Sequence, residues 1–313
     1  MSKNNYKTVS VIIPTHDRCD MLIKAINSVI AQKGVNLDII VIDDLSSDNT
    51  SNQIKEYKTF KINYIINTIN LGPGKSRQKG FLEAKGDYVV YLDDDDYYTD
   101  SYFFKKAIDI LETDTSLAFV SANVNNYHVD SKRFVRTSLG LKGHVKGLDY
   151  FEGLMIKYKK PTSTFSTIFR KSILDKAEFC KMEMMNDSSI YLRALLFGDA
   201  YILEDVIGVY TIHESNISKT ISLPFLYENL EEKLHILHMP PCKIDNPKDW
   251  WFQHYKLTYL YFVASSHHVE DELSILNWGI RNHNGSFGMI FYILIRYIKL
   301  PYRLLRYRYR QYL

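Results

Sequence analysis

What most limits the folds open to this chain is an alternation over roughly its first hundred residues: apolar runs of strand length, each followed by a polar loop and a stretch with helical spacing. Val9-Ser-Val-Ile-Ile-Pro14 reads as a buried strand, and Met21, Leu22, Ala25, Ile26 and Val29 recur behind it at helical intervals. Residues 37–42 form a second strand, and Ser46-Ser-Asp-Asn-Thr50 supplies capping residues for a helix through about Tyr57. A strand at 62–66, a helix at about 74–84 and a strand at 88–92 continue the pattern. Strands this uniformly apolar are covered on both faces. The alternation therefore predicts an α/β fold, a mostly parallel sheet flanked by helices with right-handed crossovers.

Beyond residue 100 the pattern loosens. It predicts a helix at 102–111, a strand at 118–124, a polar stretch over 125–147 and a strand at 164–169. A helix starts near Asp187, and two short strands, 200–203 and 206–211, lead into His213. From Leu223 onward the chain reads as helical, with a break at Pro240-Pro241.

A chain of 313 residues, 46% hydrophobic, can bury one large core or about two smaller ones. Cys19, Cys180 and Cys242 are odd in number and widely spaced, which suits neither a disulfide framework nor a zinc site and fits a reducing compartment. The polar N-terminal stretch carries no signal-peptide pattern, so the sequon at Asn216 is read as incidental. Net charge is +3, yet no Asp or Glu follows Glu272, while Arg281, Arg296, Lys299, Arg303, Arg306, Arg308 and Arg310 do. Removing those seven cations leaves the first 272 residues at −4. Basic character confined to one tail argues against a nucleic-acid partner.

The strand at 88–92 delivers four carboxylates, Asp93 to Asp96, at its carboxyl end, where ligands gather in open α/β sheets. A divalent cation or strong donors would relieve their mutual repulsion; alone, the run also reads as a solvated acidic turn. The first strand ends in Pro14-Thr15-His16-Asp17-Arg18 and the second in Asp43-Asp44-Leu45-Ser46-Ser47-Asp48, so acidic loops converge on the same crevice. Asp17 or Asp48 alternatively caps the helix that follows. Asn70-Leu-Gly-Pro-Gly-Lys-Ser-Arg77 sets glycines ahead of a helix and two cations, which suits a phosphate but is also a plain turn, and its spacing is not that of a P-loop.

Taken jointly and in order, Pro14-Thr15-x-Asp17-Arg18, Val41-Ile-Asp-Asp44 with Ser46-x-Asp48, Asn70-Leu-Gly72 with Arg77, and Tyr91-Leu-Asp-x-Asp-Asp96 resemble family 2 glycosyltransferases across residues 8–220. The resemblance implies a GT-A fold and an inverting, nucleotide-sugar-dependent enzyme. It implies that Thr15, Asp17 and Arg18 line the nucleoside pocket, with Asp44 or Asp43 on the base, Asn70 and Gly72 in the same nucleotide-binding set, and Arg77 near base or diphosphate. Asp93 would face ribose or metal, Asp95 would bind a divalent Mn²⁺ or Mg²⁺, and Asp96 would support the acceptor or the ligands from behind. Asp94, the variable position of that motif, is expected to be dispensable.

The family's Glu-Asp dipeptide corresponds here to Asn186-Asp187, so the supporting carboxylate is replaced and Asp187 is the expected general base. Losing the neighbouring charge is expected to lower its pKa. Read without the resemblance, Asp187 is a helix cap. His213 followed by Ser215 resembles the segment that closes the family's catalytic domain and is a candidate for metal or diphosphate; otherwise it is a structural histidine. Implied, then, are a catalytic domain at 1–220, with 1–100 its nucleotide half and 101–220 its acceptor half, and a helical region at 221–313. The 125–165 segment is expected to read the acceptor. The donor would be a nucleotide sugar such as a UDP-sugar, and the acceptor a glycan or lipid-linked hydroxyl in bacterial surface polysaccharide synthesis. A nucleotidyltransferase of similar fold and a catalytically degenerate membrane-docked scaffold are the alternatives.

Residues 287–300 are too short and too charged to span a bilayer. Arg296, Lys299, Arg303, Arg306 and Arg310 share a helical stripe beside one formed by Phe291, Ile295, Ile298, Tyr302, Leu305 and Tyr309. Cations flanking an apolar face predict that 286–313 lies on an anionic membrane at the cytoplasmic inner face, with Pro301 kinking the helix. The alternative is an amphipathic helix packed on the catalytic domain.

Overall fold

The computed structural model describes residues 6–57, 60–182, 185–213, 222–265 and 269–311, with backbone alone at 265, 269 and 300–311. The chain divides after His213 into two compact units. The expected boundary at 220, the sequon at Asn216, and the tail side chains of Tyr302, Arg303, Leu305, Arg306, Arg308, Tyr309 and Arg310 lie outside the described residues.

The first unit runs β1 (Thr8–Thr15), α1 (Cys19–Ile30), β2 (Asn36–Asp43), α2 (Thr50–Lys55), β3 (Ile62–Ile66), α3 (Pro73–Glu83), β4 (Tyr88–Tyr91), β5 (Tyr97–Tyr98) and α4 (Phe103–Thr113). It continues with β6 (Leu117–His128), β7 (Arg133–Arg136), β8 (Gly143–Val145), α5 (Gly147–Gly153), β9 (Thr167–Arg170), α6 (Lys171–Lys176), α7 (Asp187–Phe197) and β10 (Asp199–Ile212). The strands form one sheet in the order β3-β2-β1-β4-β9-β6-β10-β5, with β7 beside β6 and β8 beside β10. β3, β2, β1 and β4 are mutually parallel, β9 runs against both its neighbours, and β10 returns to parallel with β6.

Burial on both sheet faces explains the uniformly apolar strands. Val9, Val11 and Ile13 of β1 join Leu22, Ala25, Ile26 and Val29 of α1 and Phe104, Ala107 and Leu111 of α4 in one core. On the opposite face α3 lies so close to β1 that a Cβ on Gly80 would meet Ile12 Cγ2 at 2.3 Å. Register then sets the site: Thr15 lies opposite Asp43, Asp43 opposite Ile66, and Ile12 opposite Tyr91. The loops after β1, β2 and β4 therefore open along one edge.

Three expectations are corrected. The polar stretch 125–147 holds the end of β6 plus β7 and β8; β7 is exposed along its whole length, so it carries no apolar alternation to read. The strand expected at 164–169 begins as a single 3₁₀ turn, Thr164–Ser166, before β9. The two short strands at 200–211 are one, because Glu204 and Asp205 sit where the register of β10 shifts against β6, a bulge rather than a break.

Among the described residues the second unit holds four helices: α8 (Leu223–Leu237), α9 (Pro247–Ser265), α10 (Val269–Arg281) and α11 (Phe287–Gln311). Trp251, Tyr255, Tyr259, Leu276, Met289 and Ile293 fill its interior. The α11 backbone stays helical through Pro301. Phe287, Phe291, Leu294 and Ile298 are exposed along one side of α11, whereas Ile295 is only half-exposed. Arg296, a member of the expected cationic stripe, stacks over the rings of Tyr292 and Tyr259 at 4.9 and 5.4 Å. Among the described residues no helix is long and apolar enough to cross a membrane.

Candidate active site

The loops after β1 and β2 are built on their own carboxylates. Asp17 holds a left-handed backbone, φ 51°, and its Oδ1 accepts from the amides of Ser47 at 2.6 Å and Asp48 at 3.2 Å. Those bonds, the Ser47 amide foremost, hold its carboxyl below the usual range. Asp48 serves as a cap, accepting from the amides of Cys19 at 2.9 Å and Thr50 at 3.0 Å, the first residues of α1 and α2.

Asp43 and Asp44 point into protein. Asp43 accepts from the Ser46 amide at 2.7 Å and from the Tyr64 hydroxyl; burial first, and then this bond, push that phenol far up. Asp44 takes three donors at once: Asn67 Nδ2 at 2.8 Å, the Leu71 amide at 2.8 Å and the Gly72 amide at 2.6 Å. Gly72 sits at φ 79°, a backbone open chiefly to glycine, and Asn70 Oδ1 also accepts from its amide at 3.2 Å. The amides just ahead of α3, which the sequence offers to a phosphate, are thus donated to Asp44.

The four aspartates do not continue the strand. β4 ends at Tyr91, and the Asp96 amide donates to the Asp93 carbonyl at 3.1 Å, closing a turn. Strand alternation, under which Asp93 and Asp95 would share a ligand, gives way to a different grouping. Asp93 pairs with Arg77, while Asp94 and Asp95 are both bonded by Arg18 Nη1, at 3.1 and 2.9 Å. Asp94, expected to be dispensable, is buried, and its Oδ2 accepts from Thr15 Oγ1 at 2.8 Å. Desolvation, against the attraction of Arg18, pushes its carboxyl up to about 7.

Asp95 Oδ2 also lies 2.9 Å from His213 Nε2, so the end of β10 closes on the aspartate turn. Thr211 reinforces the junction: its hydroxyl donates to the Asp95 carbonyl at 2.6 Å and its amide to Asp96 Oδ1 at 2.9 Å. Asp96 is 1% exposed and holds β10 against the turn from behind. Burial, with Asp95 and Asp93 adding repulsion, drives its carboxyl well above the usual range.

Arg77 links this cluster to α7. It is buried; one terminal nitrogen bonds Asp93, while Nη1 donates to the Met185 carbonyl at 3.2 Å and lies 3.6 Å from Asp187 Oδ1. Desolvation opposes its charge, but Asp93 and then Asp187 outweigh it. Asp93 is lifted by desolvation despite Arg77. Asn186 caps α7, accepting from the Ser189 amide at 3.1 Å, which leaves Asp187 outside the capping role. Lys160 Nζ donates to Asp187 Oδ2 at 3.0 Å. Desolvation raises Asp187, yet Lys160 first and Arg77 second hold it below the usual range. Two cations are the cause of that lowering.

Lys160, Asp94 and Thr211 are the members of the site that sequence reasoning missed. Lys160 carries no local signal, since only folding brings it to Asp187, 27 positions away. Among the described residues no three His, Cys, Asp or Glu side chains converge as a ready-made metal cage. Asp95 and His213 could still supply two ligands to a cation completed by phosphate oxygens, the usual way Mg²⁺ is held.

Comparison with known proteins agrees with the resemblance. The family model for glycosyl transferase family 2 matches residues 10–177. A GalNAc(5)-diNAcBac-PP-undecaprenol β-1,3-glucosyltransferase of Campylobacter jejuni is 29% identical over 62% of this chain and 62% of its own length. The chain thus spans less than two thirds of that relative. A UDP-Glc:α-D-GlcNAc-diphosphoundecaprenol β-1,3-glucosyltransferase of Escherichia coli is 31% identical over 67% of this chain and 79% of its own. Among solved structures, S. aureus TarS 1–349 with UDP-GlcNAc superposes with a TM-score of 0.69 at 18% identity, covering 86% of this chain and 79% of that one. The Pyrobaculum calidifontis mannosyltransferase PcManGT with GDP-Man and Mn²⁺ gives 0.53 at 14% identity, over 96% and 89%. These two likenesses establish the fold, GT-A.

Proposed function

Since this chain belongs to glycosyl transferase family 2, we propose that it is an inverting glycosyltransferase that moves a sugar from a nucleoside diphosphate donor to a hydroxyl of a lipid-linked glycan. One observation carries the reading: Arg77 bonds Asp93 and approaches Asp187, joining the aspartate turn to a carboxylate freed from helix capping. A leaving diphosphate and an attacking hydroxyl need such groups side by side. The names of the Campylobacter and E. coli relatives support a polyprenyl-diphosphate-linked acceptor, and the E. coli name a UDP-sugar donor. Bacterial surface polysaccharide assembly is the setting these suggest.

In this reading the acceptor oxygen bonds to the anomeric carbon as the bond from that carbon to the diphosphate oxygen breaks, its electron pair leaving with the diphosphate. Asp187 takes the hydroxyl proton. Lys160 and Arg77 keep Asp187 ionised and aimed before the acceptor arrives. Thr15, Asp17 and the loops braced by Asp43 and Asp44 shape the nucleoside side, and residues from 101 to 213 the acceptor side. Asp95 and His213 would hold Mn²⁺ or Mg²⁺ with the donor, and Asp93 the ribose or that same cation. When bound, the cation neutralises charge growing on the leaving group. The decisive assay follows release of nucleoside diphosphate from a panel of nucleotide sugars, with Mn²⁺ and with chelator. Release from none of them, with a lipid-linked acceptor present, would leave the scaffold alternative standing.

The proposal extends to an anionic membrane partner for 286–313 at the cytoplasmic face. The exposed Phe287, Phe291, Leu294 and Ile298, in a segment with no acidic residue after Glu272, support it.

A further inference from the structure

Asp95 Oδ2 has two donors within 2.9 Å, Arg18 Nη1 and His213 Nε2. The oxygen best placed to ligate a cation is therefore already held by a permanent positive charge. Arg18 reaches it from a second anchor, Asp94 Oδ1 at 3.1 Å, and Asp94 is itself pinned by Thr15 at 2.8 Å. The anchor is buried and the guanidinium is not: the side chain of Arg18 is 24% exposed against 6% for Asp94. Arg18 directly precedes α1, in a loop whose turn is made by Asp17.

We propose that Arg18 is an internal counter-ion that occupies Asp95 until a nucleoside diphosphate arrives, making divalent-cation binding conditional on the nucleotide. The inference rests on the metal site of the proposed function. A dication approaching Asp95 and His213 meets the guanidinium charge at short range, so without nucleotide it must displace Arg18 into water. A diphosphate that shares the cation with Asp95 lies within reach of a guanidinium 2.9 Å from that carboxylate. It offers the planar guanidinium of Arg18 a two-oxygen partner in exchange. The nucleotide then supplies ligands and removes the competitor in one event. Binding of cation and nucleotide is thereby coupled, and each strengthens the other by the same factor. Arg77 makes no such exchange with Asp95: it is committed to Asp93, Met185 and Asp187.

The test is Mn²⁺ binding, read by the electron paramagnetic resonance signal of free Mn²⁺, with and without UDP, in the wild type, Arg18→Gln and Arg18→Lys. Removing the competitor should tighten nucleotide-free Mn²⁺ binding by about 5- to 100-fold and shrink the tightening that UDP confers by a comparable factor. Arg18→Lys, which keeps the charge but not the fork, should stay near the wild type without UDP. Unchanged or weaker nucleotide-free binding in folded Arg18→Gln would overturn the proposal, as would equal gains in the lysine variant. If the wild type takes up no Mn²⁺ even with UDP, the metal site of the proposed function fails, and this inference with it.

Discussion

Arg77 stands between Asp93 and Asp187, bonding the first and lying 3.6 Å from the second, so a single buried cation fixes the spacing of the donor-side turn and the N-terminus of α7. Lys160 adds a second cation at Asp187. The tests below follow from such pairings.

Asp187→Asn keeps the shape of the group and removes its basicity. Transfer should fall by about 10²- to 10⁴-fold in kcat, with nucleotide affinity retained, in steady-state kinetics with a true acceptor. An unchanged kcat would move the base elsewhere.

Lys160→Met removes the leading cause of Asp187's low pKa. The carboxyl then holds its proton to higher pH, so the acid limb of the kcat profile should shift upward while the plateau persists. A profile that loses height without shifting would mean Lys160 contacts substrate instead.

Asp44→Ala takes an acceptor from three donors at once, on Asn67, Leu71 and Gly72; Asn67 keeps Ser76 Oγ and Gly72 keeps Asn70 Oδ1, so the Leu71 amide loses most. The first unit should lose about 1–3 kcal/mol in denaturant unfolding, because a polar group left without its partner on folding costs about that much. Asp48→Ala, at an exposed position, should cost about 1 kcal/mol.

In the second unit Lys233 is buried with Asn229 and Thr258 as its bonded partners, at 2.6 and 3.1 Å, and desolvation pulls it down to about 8. Desolvation, with Lys233 adding repulsion, holds His254 well below its usual value. Both groups release protons more readily folded than unfolded, so stability should rise with pH in two steps. The first spans pH values up to the ordinary histidine value of 6.5, and the second about 8 to 10.5. All three tryptophans, Trp250, Trp251 and Trp278, lie in this unit, so intrinsic fluorescence of the whole chain reports it selectively.

Phe291→Asp with Ile298→Asp places charge on the exposed side of α11. Sedimentation with vesicles rich in phosphatidylglycerol should fall at least about tenfold, and wild-type binding should weaken with salt. Equal binding by the double variant would rule out this face as the membrane contact.

The order of strands and helices in the first unit was readable from the chain because two-sided burial leaves a continuous apolar run, which survives in one dimension. The exposed β7 and the bulged β10 lacked that signal, so they read as loop and as two strands. The position of each acidic loop was readable too, since a parallel strand must end where its apolar run ends. What each carboxylate does was not readable. The family resemblance put Asp93 with Asp95 and set Asp94 aside; the turn after β4 divided them otherwise, giving Asp93 to Arg77 and the other two to Arg18. The deciding partners come from afar: Thr15 is 79 positions from Asp94, and His213 is 118 from Asp95. Periodicity reports burial, a local property of each residue, whereas ionic pairing depends on distances that exist only once the sheet has closed.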